Sequence, residues 1–209
     1  MSDQIGTGSP RRGSVEWWQA TLIRLNDLFV NAPWLDDFRE YDLPPADLDR
    51  GWLGRPGATE SELDDLERRL GRRLCPSYRS LLQASNGFAR FGKFVGKLLP
   101  SKEVDWYGNR NPEIRSNIEE WLRAGHPVKP GVLDPAWRED IPLRSVEITQ
   151  NVEGTTLILH PDATNVDGEW EVWRLSIGNY IRYENFPDYI DDAIERLGPR
   201  TSAFGPVEY

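Results

Sequence analysis

Residues 152–185 read VEGTTLILHPDATNVDGEWEVWRLSIGNYIRYEN, and the period of this stretch decides the fold. TTLILH, EWEVWRL and YIRYEN are short runs of β-branched and aromatic residues, the composition of strands. A further run of this kind, LRSVEIT at 143–149, precedes them, and VEG and NVDG supply turn signals between runs. Loops this short join antiparallel neighbours. Within DGEWEVW at 167–173, strand alternation places Glu169, Glu171 and Trp173 on one face and Trp170 and Val172 on the other.

On both sides of this meander the period becomes helical. FPDYIDDAIERLG repeats Phe186, Tyr189, Ile190, Ala193, Ile194 and Leu197 at helical spacing before Gly198-Pro199. Upstream, GATESELDDLERRLG carries Thr59 and Glu62 as a capping box, Leu63, Leu66 and Leu70 as an apolar face, and Gly71 as a left-handed cap. Its charges run from acidic to basic, which suits a solvated face along the helix dipole. Pro76 opens the next helix with Tyr78, Leu81 and Leu82 inward, and Asn86-Gly87 stops it. The segment FARFGKFVGKLLP reads as a loop leading into a short strand near Leu98 and Leu99. NPEIRSNIEEWLRAG predicts a helix capped by Asn111, with Pro112 first and a stripe of Ile114, Ile118, Trp121 and Leu122. Helices first, then a meander, then a closing helix make an α+β fold: an antiparallel or mixed sheet with helices packed on one side.

Before that domain, VEWWQATLIRLNDLFV predicts a helical extension with Val15, Trp18, Leu22, Leu25 and Phe29 in one stripe, ended by Pro33. The connector that follows carries Trp34, Phe38 and Tyr41, aromatics that pin it against the core. Residues 1–14 read as a flexible tail, 15–50 as a helix and connector packed on the core, 51–198 as the domain, and 199–209 as a C-terminal tail. Residues 125–142, rich in proline and glycine, read as a second connector.

The chain has 209 residues, 38% hydrophobic, with nine tryptophans, which describes a globular protein despite 28% charged residues. No apolar run approaches the roughly 20 residues of a bilayer span, and the first residues have no apolar core of a signal peptide. With Cys75 the single cysteine, no intrachain disulfide forms. These features point to the cytoplasm, and the preference for arginine over lysine points to a GC-rich bacterial genome. A net charge of −9 argues against direct nucleic-acid binding and favours a basic protein partner.

The inventory for chemistry is thin. His126 and His160 stand far apart, with no HExxH or CxxC spacing, so no metal site is expected. PDATNVDGEW resembles a calcium loop only in part: aligning Asn165, Asp167 and Gly168 puts Ala163 first and Arg174 twelfth, where carboxylates are needed. Cys75 reads as a small buried residue before a helix rather than a nucleophile, and no GxSxG elbow is present. Glu169 and Glu171 would stand about 7 Å apart on one strand, near the spacing of inverting glycosidases. Those enzymes place their acids on opposite sides of a cleft, whereas strand neighbours point the same way and cannot flank a bond.

GWLGRPGATESELDDLERRLGRRLCPSYRSLLQASNGF, at 51–88, resembles the opening of a SUKH-superfamily domain. Glu67, Leu70, Gly71, Leu74, Tyr78, Leu82, Asn86 and Gly87 match that signature, with Cys75 where the family often has proline. LLPSKEVDWY resembles the family's strand region, and residues 148–190 its closing block with an aspartate-glycine-glutamate-tryptophan stretch. The superfamily contains the yeast cell-wall assembly regulator and many bacterial immunity proteins against polymorphic toxins. The resemblance covers residues 51–198 and implies a non-catalytic binding protein, without cofactor, that occludes a cognate toxin, typically a basic nuclease.

A regulatory scaffold recruiting signalling partners is the alternative of the same binding class, and a hydrolase using Glu169 or Glu171 comes third. Exposed acids near aromatics suit a basic partner, which nominates Glu103, Asp105, Trp106, Asp167, Glu169 and Glu171 as the partner-binding set.

Overall fold

The computed structural model describes residues 9–30, 45–91, 95–125, 138–177 and 179–197. Helix α1 spans Val15–Val30, α2 Pro45–Arg50, α3 Glu60–Leu70 and α4 Pro76–Ala84. A two-residue strand β1, Asp105–Trp106, leads into the short α5, Tyr107–Arg110, and then α6, Pro112–Arg123. A 3-10 turn at Pro142–Arg144 precedes β2, Val146–Glu147, followed by β3, Thr156–Thr164, β4, Trp170–Ser176, and β5, Asn179–Tyr183. Helix α7, Phe186–Leu197, closes the chain's described part.

The fold is α+β, and every strand pairing is antiparallel in the order β1-β2-β3-β4-β5. Register aligns Trp106, Val146, Leu159, Val172 and Tyr183 across the sheet, and Asp105, Glu147, Ile158, Trp173 and Arg182 in the next row. The first row faces the main core, built with α1, α3, α4 and α7. There Phe91, Phe186 and Tyr189 pack as a mutually contacting trio of near-parallel rings, and Trp18 tilts against Phe186 from α1. Helix α1 is locked in by polar contacts too: Trp18 Nε1 donates to Ser77 O at 2.8 Å, and Asn26 bridges Gly51 O and Leu53 N. The opposite face carries a smaller cluster of Tyr107, Ile141, Ile158 and Trp173 beneath α5 and the 3-10 turn.

Local signals explain most helix ends. Thr59 and Glu62 form the reciprocal capping box, and Gly71 takes the left-handed conformation, φ 70°, while its N–H caps α3. All six predicted apolar residues of α7 are buried.

Five expectations change. Helix α4 ends at Ser85, which is extended; Gly87 alone of the Asn86-Gly87 pair has positive φ. The Asn86 side chain instead accepts from Ser101 N–H at 2.6 Å. Asn111 makes no side-chain cap on α6; its Nδ2 instead donates to Tyr107 O and to the buried Glu147 carboxylate. The stripe Ile114, Ile118, Trp121 and Leu122 lies on a helix with no fully buried residue among those described. Leu98 makes single bridges to Phe88 and Thr149 rather than a strand, since Pro100 lacks the N–H that would continue the ladder. A short helix, α2, replaces the end of the predicted connector, and its Asp47 is clasped by Arg50 and Arg55. Pro33, Trp34, Phe38, Tyr41, His126, most of the second connector, the first eight residues and Gly198 onwards lie outside the described residues.

Candidate functional site

The β3–β4 hairpin is the most exposed structured part of the candidate set. Pairing runs from Thr156↔Leu175 to His160↔Glu171, then resumes at Thr164↔Trp170, so Pro161, Asp162 and Ala163 form a bulge with no opposite number. The bulge sends Asp162 to Arg144 at 2.7 Å and toward Arg72 at 3.5 Å. Beyond it, Asn165 organises the tip. Its N–H donates to Glu169 O at 2.9 Å, and its carbonyl accepts from Gly168 N–H at 3.1 Å. Its side-chain oxygen accepts from the N–H groups of Asp167 and Glu169, both at 3.0 Å. Gly168 completes the turn at φ 80°, a conformation that costs a residue with a Cβ.

Two side chains stand outward from this turn. Val166 is 103% exposed relative to its reference state. Asp167 is exposed, and its carboxylate has no hydrogen bond or ion pair among the described residues. Sequence reasoning named Asp167 and missed Val166, although a lone apolar residue between Asn165 and Asp167-Gly168 marks a turn position that cannot reach the core.

The other nominated residues are engaged. Glu103 pairs with Lys97 at 3.0 Å. Asp105 accepts from Trp106 N–H at 2.7 Å and from Asn109 at 3.1 Å. Trp106 lies on the core face with the Arg72 guanidinium 5.5 Å above its ring, so this aromatic presents a cation, not an acidic rim. Glu171 holds Arg182 at 2.6 Å and accepts from Trp173 Nε1 at 3.1 Å. Glu169 accepts from Ser77 N–H at 2.9 Å and Ser77 Oγ at 2.5 Å, at the start of α4. The six residues form no single patch: Asp105 and Glu171 stand three strands, about 14 Å, apart.

Alternation holds from Trp170 onward, with Trp170 and Val172 in the main core and Trp173 in the small cluster. Glu169 departs from it. It precedes the first ladder pair of β4, so the pleat does not bind it, and it turns to the helix side while Glu171 stays with Trp173. The two glutamates therefore address opposite sides of the sheet and do not converge on a shared space.

Other chemistry-bearing groups are also internal. Cys75 is buried, and burial first, then the Glu169 charge, pushes its thiol up to about 12. His160 is buried against the Trp173 ring and Ser145 Oγ, and burial lowers its pKa. Glu147, 2% exposed, accepts from Arg110 at 2.8 Å, Asn111 at 3.1 Å and Thr156 at 2.9 Å. A cavity of about 170 Å³ touches Arg55, Arg90, Lys97 and Gln150 and none of the six nominated residues. No group of three potential metal ligands and no helix long and apolar enough to cross a membrane occurs among the described residues.

No curated protein matches the sequence. Residues 57–192, well over half of the chain, match the SMI1 / KNR4 family (SUKH-1). That span opens just before the capping box of α3, takes in the five-stranded sheet and ends within α7, and the chain belongs to this family.

Proposed function

We propose that this chain is an immunity protein: a non-catalytic cytoplasmic binder that neutralises a cognate polymorphic toxin, a basic protein such as a nuclease, by covering its working surface. Family membership supports a binding role, as the resemblance to bacterial immunity proteins implies. The observation that carries the reading is the placement of the two candidate catalytic acids. Glu169 caps a helix and Glu171 neutralises Arg182, so neither stands free over a cleft. The net charge of −9 favours encounter with a basic partner by electrostatic steering.

Co-expression with the toxin domain of a neighbouring gene tests this. Growth rescue by the intact chain, together with a stable purified complex, is the expected result. A toxin domain that stays lethal, or a chain that shows hydrolytic activity lost in Glu169→Gln or Glu171→Gln with the fold intact, would overturn it.

A further inference from the structure

The acidity of this protein is unevenly available. Glu103, Glu171, Asp162 and Asp47 are each neutralised by lysine or arginine, and Glu169 by a helix N-terminus. Of the nominated acids, Asp167 makes no ion pair or side-chain hydrogen bond among the described residues, and it stands at the apex of the β3–β4 hairpin beside a fully exposed Val166. The apex is held by four hydrogen bonds through Asn165 and anchored to α4 by the Glu169–Ser77 pair. An apolar side chain and an adjacent carboxylate are thus presented in fixed relative positions, which lowers the ordering cost of docking.

We infer that this apex is the inserting element of the interface: Val166 and Asp167 enter a concave cleft of a protein partner. The inference rests on the binding role proposed above and specifies where it is exercised. A convex tip needs a concave receptor. Val166 needs an apolar floor, and Asp167 needs a lysine or arginine on the wall, where a desolvated ion pair gains strength. A cleft with these walls holds an apolar group beside a single anion, the pair that Val166 and Asp167 supply. Glu103, Asp105 and Trp106, at the far edge of the sheet, lie outside this contact.

The test uses the full chain carrying a photo-crosslinking residue at position 166, 23 or 195, expressed in its own cells. Ile23 is an exposed residue of α1 and Glu195 an exposed residue of α7, so both serve as controls. The expected result is a crosslink from 166 alone to a polypeptide of basic composition. That polypeptide, purified, should bind Val166→Asp and Asp167→Lys at least about tenfold more weakly than the parent, and Glu195→Lys within about twofold. All four sites are exposed, so unchanged melting temperatures are expected for the variants. A crosslink from 23 or 195 but not 166, or full affinity in both tip variants, overturns the inference and leaves the binding role standing. No crosslink from any position likewise overturns the inference, and the co-expression rescue decides the binding role separately.

Discussion

Glu169 and Ser77, 92 residues apart in the chain, meet at the N-terminus of α4, where the carboxylate accepts both the backbone N–H and the hydroxyl of Ser77. The first amides of a helix have no partner within it, and its dipole favours negative charge there. A residue that looks like a catalytic acid in the sequence therefore fastens a hairpin to a helix.

Glu169→Gln should lower stability by about 1–2 kcal/mol, since it keeps the shape but removes the charge from a charge-assisted contact. Glu169→Ala should cost more, because it leaves a nearly buried N–H unpaired. Urea unfolding with the slope unchanged reads both effects. A Gln variant that unfolds at the parent's midpoint would show the contact to be energetically idle.

Arg110 is the partner a buried carboxylate can least do without. Arg110→Ala leaves Glu147 with Asn111 and Thr156 alone and should destabilise by about 3–5 kcal/mol. Arg115→Ala breaks an exposed i,i+4 pair with Glu119 on the next helix and should cost about 0.5 kcal/mol or less. Hydrogen exchange at β2 should accelerate in the first variant only.

The pH profile should carry a signature of His160. Burial lowers its pKa, opposed by Asp162, Glu171 and Asp140 and reinforced by Arg144. Below the ordinary value of 6.5 the unfolded chain takes up the proton first, so stability falls as pH drops from there toward the folded pKa. Carboxylates held low in the fold, such as Asp47 under Arg55, stabilise in full above their ordinary 3.8 and lose that contribution only as pH falls from there. The urea midpoint should therefore decline as pH falls below about 6.5, and His160→Gln should flatten that decline. An unchanged slope in the variant would contradict the assignment.

Cys75, with its thiol pushed up to about 12 and its side chain enclosed, should resist iodoacetamide in the native protein at pH 8. Mass spectrometry should find modification only after unfolding. Rapid labelling of the folded chain would mean that the start of α4 opens readily.

Much of the fold was legible because its signals are local. The Thr59–Glu62 box, Gly71, Pro76 and the spacing in α7 each act within a few residues of themselves. The antiparallel meander followed from period and loop length. What the sequence hid depends on partners far along the chain. Asn111 looks like a cap until Glu147 arrives from β2, and Glu171 looks free until β5 brings Arg182 beside it. Strand β1, only Asp105–Trp106, is too short to carry a period at all. The exposure of Asp167 was legible, since exposure at a turn is local, while neutralisation of Glu171 by Arg182 is not.

The bulge at Pro161–Ala163 separates two registers within one hairpin. Pairing from Thr156 to His160 fixes the rows that contain Trp173 and Val172, and the single pair Thr164↔Trp170 closes the turn independently. Residues can be added to or removed from the turn without shifting the rows that build either core. The scaffold can thus keep its interior while its tip is redrawn for a different receptor, much as one handle accepts interchangeable blades.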